Sequence, residues 1–349
     1  MNRRLAQTLA FALAAIPVMI LACSPKEPYT KETFVMGTEA WVTIDGMDSP
    51  DAERAVEAAF REMYRIESVM SNWRSKSEIS RLNAGSNGAP LEVSGELFSL
   101  VDSSLSYARA TSGAFDVTVR PLVLLWGFQG EETKLPTDED IARALERVGF
   151  AKISLDSSKS TVMLPRGMQI DLAGVAKGYA VDRCVAVLKG LGVRNALVNL
   201  GGNIYAIGSP RGEQGWKIGI RDPEGGARTV GSFFLRDQAV ATSANYENFI
   251  EIDGKRYGHV IDPRTGHPVS TVLSATVVAP TGLASDALST GLFVLGPDAA
   301  KAVVERLGNV AVLFAVRDAN GVSYRTAGRF DRRLELEHAY LDSDPTNRR

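Results

Sequence analysis

Two of the chain's three histidines, His259 and His267, lie in one segment of twelve residues, GHVIDPRTGHPV, which spans residues 258 to 269. The prolines of this segment restrict its backbone, and Asp262 follows the first histidine by three positions. A histidine held rigidly beside an acid is a candidate proton acceptor at neutral pH. We therefore predict that His259 is a general base. The DPRTG portion is also a strong turn signal, and we expect His267, which precedes a proline, to be structural.

The stretch SDALST, residues 285 to 290, offers two hard oxygen ligands. On a helix, Asp286 and Thr290 would share one face because they are four residues apart. A carboxylate and a hydroxyl suit magnesium or calcium better than zinc, and a backbone carbonyl from another segment would complete the set. The stretch also fits a helix that is merely capped by Asp286, so these residues alone leave both interpretations open.

The stretch DLAGVAKGYAVD, residues 171 to 182, combines the features of an anion site. Asp171 can cap the helix that follows, and Gly174 lets a ligand approach the backbone closely. Lys177 lies one turn into that helix, near its positive end, where free N–H groups and the helix dipole favour a phosphate. A capped helix with a surface lysine would have the same sequence, so this stretch alone does not decide between the two.

Two further stretches offer surfaces for a planar ligand. In TSGAFDVTV, Phe115 and Asp116 follow a glycine stop at a predicted junction between a loop and a strand. In MSNWRSKSEISRLN, Trp73 is predicted to be exposed beside arginines, where it could stack on a planar ring. Turn chemistry and core packing would explain each stretch as well.

The elements that must position these residues are predicted from periodicity and caps. Helices are expected after residues 49, 94 and 171, over 283–294 and 298–307, and from a capping box formed by Thr137 and Asp140. The strand-like runs are TFVMGTEAWVTI, KISLDSSKSTVML (a hairpin), NALVNL, NIYAIG, WKIGI, SFFL, NFIEI, LSATVVA and VAVLFAVRD. Runs of strands with interspersed helices predict an α+β fold rather than regular βαβ alternation.

The N-terminal residues predict export and lipidation. Residues 1 to 22 have the layout of a secretory signal peptide, and the residues up to Cys23 resemble a bacterial lipobox, so this cysteine is the predicted lipid attachment site. An uncleaved membrane anchor is the alternative. Residues 23 to 32 are predicted to tether the lipid to the domain. Cys184 would then be alone, and the helical spacing of its apolar neighbours predicts a buried structural thiol.

Composition excludes one class of partner. Of 349 residues, 45% are hydrophobic and 23% are charged, which is typical of a soluble globular protein with a real core. The net charge is −2, and basic residues do not alternate with aromatic ones, so nucleic acid is not an expected partner.

Eight motifs occur together along the chain: MGT at 36 to 38, MSNWRSKSEISRLN, GAFDVTVRPLVLLWGF, DLAGVAKGYAVD, LVNLGGNIYAIG, ATSANYENF, HVIDPRTGHPV and ASDALSTGLFVLG. With these motifs in this order, the chain resembles the ApbE family, the FAD:protein FMN transferases, from about residue 33 to 330. An ordered set is far more specific than any one of its members. The resemblance therefore favours the functional interpretations of the stretches described above.

The resemblance implies one large catalytic domain over residues 33–330 with an ApbE-like α+β fold related to the T-fold, followed by a charged, flexible tail over 331–349. It implies transfer of the FMN moiety of FAD to a threonine hydroxyl of a partner flavoprotein, with Mg²⁺, a new phosphoester bond and release of AMP. The residues implied to line the FAD site are Met36, Trp73, Ala114, Phe115, Asp116, Asp171, Lys177 and Val260. The implied magnesium ligands are the Gly174 carbonyl, Asp286 and Thr290, with His259 as the base.

Two alternatives use the same residues. Water in place of threonine would give a magnesium-dependent FAD pyrophosphatase that produces FMN and AMP, and Trp73 leaves the balance between transfer and hydrolysis open. Capture without chemistry would give a non-catalytic FAD-binding lipoprotein, which the predicted metal ligands argue against. The implied partners are threonine-bearing flavoprotein subunits of membrane electron-transport complexes. The expected location is the periplasmic side of the bacterial cell envelope, through the lipid anchor.

Overall fold

The computed structural model describes residues 27–129, 135–226, 228–245, 248–319, 321–330 and 334–336. Within these ranges every pair of neighbouring strands is antiparallel, and helices are interspersed among the strands. The predicted α+β class is therefore confirmed.

An eight-stranded sheet forms the centre of the fold. Its strands are β1 (Tyr29–Val35), β2 (Thr38–Ile44), β6 (Ala196–Leu200), β7 (Asn203–Ile207), β10 (Gln238–Ala244), β13 (Val272–Ala279), β14 (Ala311–Asp318) and β15 (Gly321–Ala327), in the spatial order β1-β2-β6-β7-β10-β13-β14-β15. Successive side chains of a strand point to opposite faces, so Val240 and Ala239 of β10 join two different cores. The sheet is therefore buried on both faces.

Different layers cover the two faces. Helices α1 (Ser49–Met70), α6 (Ala173–Gly190) and α7 (Gly282–Leu307) pack on one face, and α6 lies between the other two. A small sheet of β8 (Trp216–Arg221), β9 (Thr229–Leu235) and β16 (Glu335–Leu336) packs on the other face. The central position of α6 matters for function, because the predicted phosphate-binding stretch opens this helix.

The remaining helices and strands are short except for α3. They are α2 (Glu78–Ala84), α3 (Gly95–Ala110), α4 (Arg120–Leu125), α5 (Asp138–Leu145), β3 (Pro90–Glu92), β4 (Ser154–Asp156), β5 (Thr161–Met163), β11 (Phe249–Ile252) and β12 (Lys255–Gly258). The predicted capping box of Thr137 and Asp140 is present at the start of α5, and the predicted hairpin is β4–β5. Strand β10 was not predicted, because its small and hydroxyl-bearing residues give a weak strand signal.

Helix α7 is broken at Gly296, whose φ of 72° and ψ of 169° are not helical, and Pro297 follows. The two helices predicted for this region are therefore the two parts of α7. Among the described residues, α7 is the one helix long and apolar enough to cross a membrane, but 56% of its most apolar window is buried inside the fold. That burial is typical of a core helix.

The predicted domain limits differ from the structure at both ends. Strand β1 begins at Tyr29, inside the predicted tether, because it pairs along its whole length with β2. Strand β16 lies inside the predicted flexible tail, because Leu334 and Leu336 pack on the small sheet. The signal peptide and Cys23 lie outside the described residues. Cys184 is completely buried, and its thiol donates to the carbonyl oxygen of Ala59 at 3.2 Å.

Candidate functional site

Helices α6 and α7 cross in close contact at two glycines. A Cβ atom on Gly178 would lie 2.1 Å from the carbonyl oxygen of Gly282, so a side chain there would push the helices apart. The Gly178 amide, whose regular helical acceptor would be the Gly174 carbonyl, donates to Asp286 Oδ2 at 2.8 Å. A Cβ atom on Gly174 would lie 3.4 Å from Thr290 Oγ1. The crossing therefore brings together the three predicted metal ligands.

The carboxylate of Asp286 is buried, with 5% of the residue exposed. Burial raises its pKa, while the Lys177 ammonium and the Gly178 N–H oppose that rise. Within the described ranges, Gly178 makes the one hydrogen bond that reaches this carboxylate. A buried carboxylate with so little compensation suits a divalent cation, because the cation would offset the cost of desolvation.

Hydroxyl groups extend this oxygen-rich surface. Ser243 Oγ on β10 lies 2.9 Å from Ser289 Oγ and 3.4 Å from Thr290 Oγ1. Neither serine was predicted as a site residue, although both lie inside the family motifs and Ser289 directly precedes Thr290. No cluster of three or more His, Cys, Asp or Glu side chains that could hold a metal occurs in the part of the chain that the structure describes. One carboxylate with carbonyl and hydroxyl oxygens instead fits Mg²⁺ and does not fit zinc.

Lys177 places its ammonium group near the start of α6. Its Nζ donates to the carbonyl oxygen of Ala173 at 3.2 Å, so the side chain turns back toward the positive end of the helix. The charge of this lysine lowers the pKa of both Asp286 and His259. Lys177 therefore lies within electrostatic range of both the predicted base and the predicted metal ligand.

The ring of His259 is half-buried and is fixed by a backbone carbonyl. Nδ1 lies 3.0 Å from the carbonyl oxygen of Asn248, and the His259 amide donates to the same oxygen at 3.1 Å. Because a carbonyl oxygen can only accept, Nδ1 carries the proton of the neutral ring and Nε2 keeps the lone pair. Burial lowers the pKa below its ordinary 6.5, Lys177 lowers it further, and the contact with Asn248 opposes the shift. The ring is therefore neutral at pH 7, as a proton acceptor must be.

The prediction that an acid lies beside His259 is wrong for Asp262. Within the described residues, its carboxylate accepts from the Arg264 Nε and Nη2 atoms at 2.9 and 2.8 Å and from the Arg264 amide at 2.9 Å. These bonds close the DPRTG turn, which was the structural alternative for this segment. The His259 ring takes its orientation from a backbone carbonyl rather than from a carboxylate.

The loop that carries His259 is docked on α4 and α5. Trp126 Nε1 donates to the carbonyl oxygen of Gly266 at 2.8 Å, and the Trp126 ring packs against Tyr257 and edge-on against His267. Val260 is buried, and its carbonyl oxygen accepts the amide of Val269 at 2.9 Å. His267 therefore shapes the loop, as predicted. The packing around Trp126 and Val260 holds the loop in place.

The GAFD segment places the ring of Phe115 at the start of α6 and stabilises its own loop through Asp116. A Cβ atom on Gly174 would lie 3.2 Å from the Phe115 ring, so this ring lies against the start of α6. Ala114 is buried beside it. The Asp116 carboxylate accepts from the amide and hydroxyl of Thr118 at 2.8 and 2.7 Å and from the amide of Phe150 at 2.8 Å. The Asp116 side chain therefore braces its own loop.

Asp171 was predicted to cap α6, but the N-cap is the next residue, Leu172, which makes no side-chain capping bond. Asp171 Oδ1 accepts the Ala173 amide at 2.9 Å and Oδ2 accepts from Gln129 at 3.1 Å. The Arg120 Nη1 atom lies 3.8 Å from Oδ2 and was not predicted as a site residue. The Asp171 amide donates to the Val117 carbonyl at 2.6 Å, which ties the GAFD segment to the helix.

Met36 and Trp73 are joined through a residue that was not predicted. Met36 has a φ of 54°, an unusual backbone conformation for a residue with a side chain, and its amide donates to Glu67 Oε1 at 3.0 Å. Glu67 Oε2 accepts from Arg74 at 2.5 Å, directly after Trp73, which is 72% exposed. One carboxylate therefore fixes both the turn of Met36 and the loop of Trp73.

Two asparagines connect this pair to the rest of the site. Asn83 Nδ2 donates to the Ile170 carbonyl and to Asn72 Oδ1, both at 2.9 Å, and Asn83 Oδ1 accepts the Ile170 amide at 2.8 Å. Asn72 precedes Trp73 and Ile170 precedes Asp171 in the sequence. These contacts connect the β1–β2 turn and the Trp73 loop to the start of α6.

Comparisons with known proteins point to one family. The family model described as ApbE matches residues 36–314, inside the predicted domain of 33–330. FAD:protein FMN transferase from Haemophilus influenzae is 36% identical over 313 residues, which cover 86% of this chain and 90% of that protein. The protein of the same name from Escherichia coli K12 is 31% identical over 331 residues, which cover 90% and 93%.

Solved structures show the same likeness. The ApbE protein of Thermotoga maritima has a TM-score of 0.79 and 32% identity, covering 86% of this chain and 97% of that one. The flavin transferase ApbE of Vibrio cholerae has a TM-score of 0.79 and 31% identity, covering 87% and 98%. The likeness extends over both the sequence and the arrangement of the elements that carry the site.

Proposed function

The chain belongs to the ApbE family, and from this premise we propose that it transfers the FMN moiety of FAD to a threonine hydroxyl of a partner flavoprotein. It is a transferase, as its curated relatives are FAD:protein FMN transferases. The proposal includes a need for Mg²⁺, threonine as the acceptor and AMP as the second product. The observation that carries the proposal is that Lys177, at the start of α6, lies within electrostatic range of both the buried carboxylate of Asp286 and the ring of His259.

In the proposed reaction, the threonine oxygen attacks the phosphorus of the FMN half of FAD. A P–O bond to threonine forms, the P–O bond of the pyrophosphate bridge breaks, and AMP leaves with the bridging oxygen. The threonine proton passes to His259 Nε2, the ring nitrogen that holds the lone pair. Such a base is needed because a neutral hydroxyl is a weak nucleophile.

Charge neutralisation falls to the start of α6 and to its crossing with α7. Lys177 and the positive end of the α6 dipole would bind and orient the pyrophosphate. Asp286, the Gly174 carbonyl and Thr290 would hold Mg²⁺. When bound there, the ion would supply positive charge that stabilises the negative charge developing on the leaving AMP.

We also propose a location and a class of partner. The sequence of residues 1 to 23 supports lipid attachment at Cys23 and anchoring on the periplasmic side of the bacterial envelope. The acceptors would be threonine-bearing flavoprotein subunits of membrane electron-transport complexes. A protein anchored in this way would meet such subunits at the membrane surface.

Product analysis tests the proposal. The full-length chain, purified in a mild detergent, is incubated with FAD and Mg²⁺, with and without a flavoprotein domain that carries the acceptor threonine. We expect flavin fluorescence on the acceptor in a denaturing gel, an equal amount of AMP by nucleotide chromatography, and neither product after chelation of Mg²⁺. A matched acceptor with valine in place of the threonine should stay unlabelled. Free FMN and AMP without labelled acceptor would identify a pyrophosphatase, and intact FAD in every tube would contradict both activities.

A further inference from the structure

Arg120 is a nearly buried cation, and two of its three donor nitrogens lack hydrogen-bond acceptors among the described residues. It opens α4, and its side chain is 14% exposed. Its Nε and Nη1 atoms are buried and have no hydrogen-bond partner within the described residues. Buried donors without partners are uncommon in proteins, because each loses its hydrogen bonds to water and gains nothing in return. Packing within the described residues therefore does not account for the buried position of this guanidinium.

The position of Arg120 points to the candidate site. Its Nη1 atom lies 3.8 Å from Oδ2 of Asp171, and Asp171 Oδ1 accepts the amide of Ala173 at the start of α6. Lys177 turns back to the carbonyl of the same Ala173. The guanidinium therefore lies beside the start of the helix on which the proposed pyrophosphate site is built.

The carboxylate beside Arg120 decides which part of FAD would bind there. A phosphate placed against the guanidinium would also approach the Asp171 carboxylate, and like charges repel in a poorly solvated site. A neutral ring edge is free of this conflict, since it presents carbonyl or ring-nitrogen acceptors to the guanidinium and an N–H donor to the carboxylate. Asp171 has capacity for that donor, because a carboxylate can accept about four hydrogen bonds and this one receives those of Ala173 and Gln129.

We infer that Arg120, together with Asp171, binds the neutral hydrogen-bonding edge of one of the two ring systems of FAD, the pyrimidine edge of the flavin or the edge of the adenine. The inference rests on the proposed function, because it takes FAD to be the ligand. Arg120 is then a substrate-contact residue, and its unpartnered donors are the part of the site that the ligand completes.

Replacement of Arg120 by Met tests the inference through two quantities that should respond differently. These are the melting temperature of the ligand-free chain and its affinity for FAD. Methionine keeps much of the length and removes the unpartnered donors, so the ligand-free chain should melt no lower than wild type. FAD affinity should fall by about 10- to 100-fold, the range for losing hydrogen bonds to a charged group. Arg120→Lys keeps the charge and should recover part of that affinity. Arg143→Met, at an exposed arginine paired with Asp140 on α5, is the matched control and should change neither quantity.

The measurements use the full-length chain in detergent, with melting followed by circular dichroism and affinity by calorimetry. A melting temperature that falls together with FAD affinity would show a structural role and overturn the inference, and so would unchanged FAD affinity. Failure of the wild-type chain to bind FAD would instead refute the proposed function.

Competition against FAD by riboflavin, FMN, adenosine and AMP then identifies the ring. A loss in Arg120→Met that is as large for riboflavin as for FMN assigns the flavin edge, and an equal loss for adenosine and AMP assigns the adenine edge. A loss confined to the phosphate-bearing ligands would show that the arginine contacts a phosphate, which would overturn the inference.

Discussion

Replacing Gly178 by Ala should separate the two helices that carry the site. The new Cβ atom would lie 2.1 Å from the carbonyl oxygen of Gly282 and 2.7 Å from the Cβ atom of Asp286. Ordinary contact begins near 3.4 Å, and the nearest atom belongs to a rigid backbone, so α7 must move away from α6 by about 1.3 Å. This movement would carry Asp286 away from the Gly178 amide and from the Gly174 carbonyl.

The consequence for activity follows from that displacement. A misplacement of about 1 Å in a catalytic arrangement costs roughly 100-fold in rate, so we expect the flavin transfer rate of Gly178→Ala to fall by about that factor. The apparent Mg²⁺ affinity should fall with it, because the proposed ligands come from both helices. Overpacking should also lower the free energy of unfolding by about 1–3 kcal/mol.

Gly190→Ala is the matched control on the same helix. Gly190 ends α6, and a Cβ atom there would meet nothing within 4 Å. Alanine has the higher helix propensity, so this change should leave activity unaltered and leave stability unchanged or raise it by up to about 1 kcal/mol.

The assay is flavin transfer to an acceptor domain at varied Mg²⁺, with urea unfolding measured on the same preparations. Full activity and an unchanged Mg²⁺ dependence in Gly178→Ala would refute the reasoning, because they would show that the spacing of the two helices does not set the site. Loss of activity in both glycine variants would point to α6 as a whole rather than to its crossing with α7.

Two other predictions concern the base and the turn of Met36. Because the pKa of His259 lies below 6.5, kcat/KM for transfer should rise with pH to a plateau, with the midpoint of the rise below 6.5. His259→Gln should remove that step and most of the activity, and an unchanged profile in the variant would exclude this base. Glu67→Ala should raise KM for FAD by roughly 10-fold with little change in kcat, because it removes the two hydrogen bonds that hold the Met36 turn and the Trp73 loop in place. Glu57→Ala breaks a different α1–β1 contact, the Lys31 pair, and should leave KM unchanged; equal effects of the two changes would contradict a specific role of Glu67.

Local signals in the sequence predicted the elements well. The stripe of Val56, Phe60, Met63 and Ile66 is buried along α1, and the Thr137 capping box starts α5. Such features depend on residues a few positions apart, and their spacing is visible in the sequence. Ser49 shows the limit of this approach, because a helix was predicted after this residue whereas α1 begins at Ser49 itself, with Asp48 as its N-cap.

Contacts between distant segments were not predictable in the same way. Ser243 lies beside Thr290 only because β10 runs next to β13 under α7. Arg120 approaches Asp171 across 51 residues of sequence, and nothing within either stretch indicates the pairing. Hydroxyl and guanidinium groups are common on protein surfaces, so their residue types alone do not distinguish a site from solvent-exposed chain.

Asp116 and Asp171 show why the geometry must be known before roles are assigned. Both aspartates lie in family motifs, and both were predicted to line the FAD site. In the structure, three bonds from Thr118 and Phe150 occupy the Asp116 carboxylate, whereas Asp171 keeps acceptor capacity beside an unsatisfied arginine. Asn in place of each aspartate should therefore separate the roles: Asp116→Asn should lower the melting temperature by breaking the loop brace, and Asp171→Asn should weaken FAD binding with a smaller effect on melting. If Asp116→Asn weakened FAD binding without any loss of stability, the carboxylate would act on the ligand, and the distinction drawn from these hydrogen bonds would be wrong.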